Sequence, residues 1–298
     1  MMKKTLRAML LPLLLVGAAL PGCTTASADR ATGPANWRDG MAIQLYSFHN
    51  DIDKDLAGTL RRVKALGFDK VETYPIGGVT ATQLRAALDA AGLKAVSAHM
   101  PWDRIQSDPA GVVADVRILG AEQFGPGSIG MFDGKPFRVM SLAEAQQAGE
   151  ALKRACAAAD AAGMRVFIHT HGNEFGPSVG TAPLDRMSEA ADNCFDLEAD
   201  ITWVKWAGVD PAQLIQRYGK RVSSLHVKDI AARAIGQDIG KIDHKDLTVL
   251  GQGSVDWPAV MRASRAAGVR HYIIEDESPD PAGQIPHSLA YLDSIAGR

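Results

Sequence analysis

Four times in this chain a helical stretch runs into a small residue and a glycine. It then passes directly into a short apolar run that ends in polar residues. Ala65-Leu66-Gly67 precedes 68–74, Ala90-Ala91-Gly92 precedes 93–99, Ala161-Ala162-Gly163 precedes 164–171, and Ala266-Ala267-Gly268 precedes 269–275. A helix commonly ends on a residue in the left-handed conformation, which is costly for any side chain with a Cβ. A glycine there marks the end of a helix, and the apolar run after it reads as a strand. Leu119-Gly120 before 121–124 and Tyr218-Gly219 before 221–228 repeat the unit more loosely, and the runs 41–48 and 194–203 bring the strands to eight. The stretches between are amphipathic: Leu56, Leu60, Val63 and Leu66 recur at helical spacing. Strands alternating with helices imply a parallel sheet with helices outside, and eight such units close into an α/β (β/α)8 TIM barrel. A barrel of about 250 residues fits one domain in a chain of 298. An open doubly wound sheet would often carry a dinucleotide fingerprint. Gly251-Gln252-Gly253 does not follow a strand and open a helix; it reads as a turn before a helix capped by Asp256, with Pro258 in its first turn.

The first residues differ in kind. Lys3, Lys4 and Arg7 precede an apolar run over 8–20, too short to span a bilayer but suited to a secretory signal. Leu20-Pro21-Gly22-Cys23 resembles the lipobox of bacterial lipoproteins. On that reading residues 1–22 are removed, Cys23 is lipidated, 23–38 form a linker and 39–298 the barrel. The protein would sit at the periplasmic face of a membrane, touching it only through the lipid anchor. Cleavage after Ala26-Ser27-Ala28 would instead leave it soluble in the periplasm. Cys156 in an alanine-rich helix and Cys194 at a strand start read as separate buried thiols more readily than as a disulfide. With 32 basic against 34 acidic residues the net charge is −2, which argues against a nucleic-acid partner.

In a TIM barrel the active site forms where the strands end. The polar residues there are Glu72, His99, the run His169-Thr170-His171-Gly172-Asn173-Glu174, then Asp200, His226, Lys228, Asp229, Glu275 and Asp276. Glu174, Asp200, His226 and Glu275 come from four consecutive units, one ligand per strand for a single ion on the barrel axis. Three carboxylates and an imidazole suit one divalent cation (Mn²⁺, Co²⁺, Mg²⁺ or Zn²⁺). Without a cation, carboxylates so close would repel and one would stay protonated. Taken singly, each has a plainer reading. His226 in an apolar strand is more often a satisfied core residue, Asp200 suits a turn cap, and Glu174 suits a surface loop. Glu198, two residues before Asp200, should face the same way, as a support for the ligands or as a ligand itself.

The residues resemble the xylose isomerase-like TIM-barrel superfamily, often labelled sugar phosphate isomerase/epimerase, over nearly everything from about 40 to 294. The resemblance rests on Met41-Ala42-Ile43-Gln44-Leu45-Tyr46-Ser47, His169-x-His171-x-x-Glu174-Phe175, Asp200-Ile201-Thr202-Trp203-Val204 with Ala207-Gly208-Val209-Asp210-Pro211, Leu225-His226-Val227-Lys228-Asp229 and Ile274-Glu275-Asp276. It implies that Glu174, Asp200, His226 and Glu275 hold the metal and that Glu174 and Glu275 exchange a proton with a sugar carbon. An exported chain without a clear phosphate cradle is not expected to take a sugar phosphate.

The expected activity is that of an isomerase or epimerase of a non-phosphorylated keto-sugar acting through an enediolate. Elimination at the same site would make it a lyase or hydrolase of a 3-keto-glycoside. A sugar-binding lipoprotein without activity is the reading from another class. Glu72, His99, His171 and Lys228 are candidates for binding sugar hydroxyls or the leaving group, Lys228 alternatively pairing with Asp229 or Glu72. Trp203, Trp206 and Trp102 are candidates for stacking, though Trp203 suits plain packing too. A phosphodiesterase on this fold would need a multinuclear zinc cluster with more histidines and a basic face. Association into a homo-oligomer is compatible with all of these.

Overall fold

Each glycine-punctuated unit folds as its pattern requires. In the computed structural model, which describes residues 33–129, 138–175, 180–235 and 242–296, Gly92, Gly120 and Gly268 cap their helices in the left-handed conformation. The eight strands of the barrel are β1 (Met41–Gln44), β2 (Lys70–Thr73), β3 (Lys94–Met100), β4 (Gln123–Pro126), β5 (Arg165–His169), β6 (Asp196–Asp200), β7 (Val222–Val227) and β8 (His271–Ile274). All neighbours pair in parallel, and β8 pairs with β1 to close the barrel. The expected (β/α)8 barrel is therefore the fold. The turn at Gly251 leads, as expected, into a helix (Trp257–Ala267) capped by Asp256, with Pro258 in its first turn.

Two strands end earlier than their apolar runs suggest. The run 41–48 leaves the sheet after Gln44 and continues as a 3-10 helix, Leu45–Phe48. The run 194–203 stops at Asp200, whose Oδ1 accepts the Trp203 N–H at 3.0 Å and starts the helix Ile201–Trp206. Hydrophobicity carried both runs on, but a side-chain cap diverts the backbone.

The two faces of the strands meet different surroundings, as the two-residue period of a strand requires. Ile43, Val71, Leu225, Val227 and Ile274 belong to the apolar core that also holds Leu60, Val63, Leu84 and Leu88 from the helices. The opposite face is largely polar. Arg270 donates to Gln123 Oε1 (3.1 Å), Gln123 Nε2 donates to Ser97 Oγ and Ser224 Oγ (3.3 Å each), and Ser224 Oγ donates to Glu198 Oε2 (2.8 Å). This column fills space that branched apolar side chains commonly occupy in such barrels. Each member is hydrogen-bonded, which offsets the cost of burying it.

Cys156 and Cys194 do not remain separate thiols. They form a disulfide across 38 residues. Cys156 lies on the buried face of the helix Leu142–Asp160, and the next helix, Ala182–Ala190, packs beside it. The turn after that helix brings the Cα atoms within 6.2 Å, a closeness that two sequence-distant cysteines do not reveal. Replacing both by alanine should cost about 2–4 kcal/mol, since the crosslink restricts the unfolded chain. Urea unfolding of oxidised wild type against the double variant measures it; equal midpoints would refute the estimate.

Residues 1–22, Cys23 and most of the expected linker lie outside the described residues. Trp37 and Arg38, expected in the linker, already pack on the barrel: Trp37 is buried in the core and Arg38 Nε donates to Asp293 Oδ1 at 2.7 Å. Among the described residues, no helix is long and apolar enough to cross a membrane.

Candidate active site

The ends of β6, β7 and β8 bring three expected residues together. Asp200 closes β6, His226 is the penultimate residue of β7, and Glu275 follows β8. Register puts Asp200 beside His226, and His226 beside Ile273, two residues before Glu275. One ligand atom from each of the three lies within 4.8 Å of the others. His226 Nδ1 is 2.9 Å from Glu275 Oε2 and 4.0 Å from Asp200 Oδ2. Lys228, two residues beyond His226, reaches the same group. Its Nζ is 2.6 Å from Glu275 Oε2, 3.0 Å from Asp200 Oδ2 and 2.8 Å from Glu277 Oε1.

A second ring of polar groups holds His226 from the other side. Its Nε2 is 2.7 Å from Glu72 Oε1 and 3.2 Å from Glu198 Oε1. His99 Nε2 is 2.8 Å from Glu198 and 3.1 Å from Glu72, and His169 Nδ1 is 3.2 Å from Glu198. With Nε2 donating to these carboxylates, Nδ1 is the nitrogen turned toward Asp200 and Glu275, where a cation would replace its proton. An outer carboxylate orients a metal-binding histidine in this manner.

Burial and charge act against each other here. Burial opposes a charge on His226, but Glu198, Glu275 and Glu72 outweigh it and hold its pKa well above the usual histidine range. Burial likewise resists ionisation of Glu275, and Lys228 and His226 reverse that, holding its carboxyl well below the usual range. At Asp200 burial wins over the nearby Lys228 and raises the carboxyl to about 6. Burial, followed by the charge of Lys228, lowers His171 to about 4, so this imidazole is neutral at neutral pH.

The donor set fits a divalent cation. Asp200 Oδ2 is buried and accepts no hydrogen bond of sound geometry, despite its closeness to Lys228. An unsatisfied buried carboxylate oxygen facing an imidazole nitrogen and a second carboxylate is an arrangement that a cation would complete.

Glu174, expected as the fourth ligand, is not brought into this group. After His169 the chain turns at Gly172, whose φ of 92° suits glycine, and the Glu174 carboxylate folds back under the turn. It accepts the His171 N–H at 3.0 Å, and the Asn173 amide, oriented to satisfy both its ends, donates to both its oxygens. Fully buried, it is pushed up to about 7 by desolvation against those backbone bonds. The fifth-strand side chain nearest the group is His169, with Nε2 3.7 Å from Asp200 Oδ2.

Above the group opens a pocket of about 370 Å³, lined among others by Tyr46, Tyr74, Trp102, His99, His171 and Lys228, with Glu275 and Glu277. Of the residues expected to bind substrate, His99, His171 and Lys228 line it. Glu72 sits behind His226, and Trp203 packs against His171 and Trp206 rather than on the pocket wall. Tyr46, Tyr74 and Glu277 were not singled out from the sequence; Glu277 had a signal, since it stands two residues after Glu275. A larger groove, about 440 Å³ around Arg85, Lys94 and Glu122, lies at the opposite strand ends and lacks such a cluster.

Asp229, expected with the polar residues of the site, serves the fold instead. It accepts the N–H groups of Ile230 (2.8 Å), Gly251 (3.0 Å), Ser254 (3.1 Å) and Val255 (3.2 Å), and Trp257 Nε1–H (3.0 Å). Asp229→Ala strands these donors and should destabilise the protein by more than about 3 kcal/mol. A denaturation series showing a loss below about 1 kcal/mol would remove this role.

A closed parallel barrel with a buried acid–histidine group under an open pocket at its strand ends defines a TIM-barrel protein with an enzyme-type site. The chain belongs to the xylose isomerase-like TIM barrel family, whose model matches residues 60–295. It is 27% identical over 183 residues to an inosose dehydratase of Lacticaseibacillus casei, the match covering 55% of this chain and 58% of that protein. The chain thus spans somewhat over half the length of the curated relatives it matches. Among solved structures, a sugar phosphate isomerase/epimerase of Parabacteroides distasonis superposes with a TM-score of 0.68 at 20% identity, covering 90% of this chain and 98% of that one. A protein named IOLI, solved with a bound zinc atom, superposes with a TM-score of 0.62 at 14% identity, covering 87% and 98%. These structures share the fold. The relatives are enzymes with dehydratase or epimerase names.

Proposed function

We propose that this chain is a divalent-cation-dependent isomerase or epimerase of a non-phosphorylated keto-sugar, working by proton removal and return beside the carbonyl. The observation that carries the reading is the joint placement of Asp200, His226 and Glu275 beneath the pocket. These three residues would hold the cation, with His169 as the nearest further donor. A cation there supplies Lewis-acid stabilisation of the negative charge that develops on the carbonyl oxygen. Glu275, ionised and on the pocket wall, takes the proton. His171 lines the same pocket and can orient the sugar by accepting a hydrogen bond from a hydroxyl. Its Nδ1 lies 3.1 Å from the carbonyl oxygen of Gly127, which can only accept, so Nδ1 carries the hydrogen and Nε2 is the basic nitrogen. Return to the opposite face of the same carbon gives an epimer; return to the neighbouring carbon gives an isomer. In this reading Glu174 shapes the turn that carries His171.

The similarity to inosose dehydratases favours a second reading, elimination. The proton again goes to Glu275, the C–O bond at the next carbon breaks with its electron pair on oxygen, and a proton from the Lys228 ammonium completes water or an alcohol. A keto-glycoside would be cleaved in this way. Three carboxylates around Lys228 disfavour a phosphate in the pocket. Export, with a lipid on Cys23 or by ordinary cleavage, is part of the proposal, and the disulfide suits an oxidising compartment.

Incubating metal-loaded protein with keto-sugars and keto-glycosides in D₂O tests the reading. Deuterium at carbon is expected, and release of an aglycone would select elimination. Chelation should abolish exchange and Mn²⁺, Co²⁺, Mg²⁺ or Zn²⁺ restore it. Sugar binding without exchange would make the protein a binding module and overturn the proposal.

A further inference from the structure

A second cavity adjoins the pocket above the acid–histidine group. It measures about 360 Å³, against about 370 Å³ for the first, and the two share Tyr46 and Glu277 in their walls. Tyr46 is 39% exposed, so the partition between them reaches the surface. On the far side Tyr46 stacks on His49, ring centroids 4.5 Å apart and planes 12° from parallel. The His49 ring is held there by its Nδ1, 2.9 Å from the Tyr46 carbonyl oxygen. Glu277 links the two cavities chemically: Oε1 is 2.8 Å from Lys228 Nζ in the first, and Oε2 is 3.9 Å from His244 Nε2 in the second.

We infer that the site takes a two-ring carbohydrate, a disaccharide or an aryl glycoside, whose reacting ring enters the first pocket and whose second ring occupies the cavity of Tyr46, His49, Asn50, Asp51 and His244. The inference rests on the reading that the first pocket receives the reacting sugar. Each cavity is at the lower end of the size that encloses a small ligand, and together they match two linked rings better than one. The flat Tyr46–His49 pair presents the aromatic surface against which the C–H face of a pyranose packs. Asn50, Asp51, His244 and Glu277 supply donors and acceptors for ring hydroxyls at the rim. A single keto-sugar would use only the first cavity.

Calorimetry on the metal-loaded protein tests this with D-glucose, cellobiose, maltose, sucrose, trehalose and 4-nitrophenyl β-D-glucoside as probes. At least one two-ring probe should bind about tenfold more tightly than glucose, an additional 1.4 kcal/mol. His49→Ala, at a half-buried position, and His244→Ala, at an exposed one, should each pull that ratio toward one. The inference is overturned if no two-ring probe binds more tightly than glucose, or if the variants weaken all probes alike. Deuterium exchange into a keto-monosaccharide does not require the second cavity. Exchange without a two-ring preference would defeat this inference and spare the proposed function, whereas a two-ring preference without exchange would do the opposite.

Discussion

Glu275→Gln should lower solvent-proton exchange by about 10³-fold or more while the protein stays folded. The magnitude is that of losing a positioned acid–base group, about 10²–10⁴ in rate, with weaker cation binding added. The substitution keeps the shape, and an amide oxygen can still accept from Lys228 Nζ. It removes the negative charge that faces His226 at 2.9 Å and Lys228 at 2.6 Å. It also removes the only carboxylate of the Asp200–His226–Glu275 group that lines the pocket among the described residues. Circular dichroism and a melting curve should show the barrel intact. A variant that exchanges within about tenfold of wild type would eliminate Glu275 as the base. The parallel change Glu174→Gln separates the structure from the resemblance, because a carboxylate turned under its own loop should matter far less to the chemistry.

Lys228→Met should destabilise the cation-free protein strongly and strengthen its hold on a divalent cation. Lys228 is buried with Asp200, Glu275 and Glu277 around its ammonium. Breaking a buried ion pair from one side typically costs about 3–5 kcal/mol. The loss should depend on pH. Stranded carboxylates acquire folded-state pKa values above their unfolded values, as Asp200 already does at about 6. A raised carboxyl pKa adds nothing unfavourable below the unfolded value of about 4, and a penalty that grows from there and is complete above the folded value. Part of the deficit should persist near pH 4, because Lys228 also holds Glu275 well below the usual carboxylate range, a stabilisation lost only as pH falls through that depressed value. The Asp200 share should appear as pH rises past about 6, so the deficit is larger near pH 8. Mn²⁺ or Zn²⁺ should restore much of the melting temperature, since the cation replaces the lost charge. Equal stability at pH 8, or weaker cation binding by the variant, would show that Lys228 does not share the cation's carboxylates.

Much of the site was legible because a barrel imposes an address on its chemistry. Once the glycine-punctuated runs are recognised as strands, Asp200, His226 and Glu275 must converge, since parallel strands end on one face and the register sets Asp200 level with His226 and Glu275 two residues beyond the partner of His226. Their plainer readings hold as well: Asp200 also caps a helix, and His226 also sits satisfied among carboxylates. Other residues were out of reach because their positions follow from turns rather than periodicity. Glu174 lies only a few residues past β5, and the turn at Gly172 decides which way its carboxylate faces. Asp229 adjoins Lys228 in the chain, but the loop around 251–257 claims it.

Taken alone, the order of apolar runs and glycines determined the architecture of this protein and the pole at which its ionisable groups gather, because both depend on local conformation and strand period. The tertiary structure decided which of those groups touch, that Cys156 meets Cys194, and that Tyr46 divides two adjoining cavities. Such contacts depend on how separate elements pack in space, and spacing along one chain does not encode that closeness.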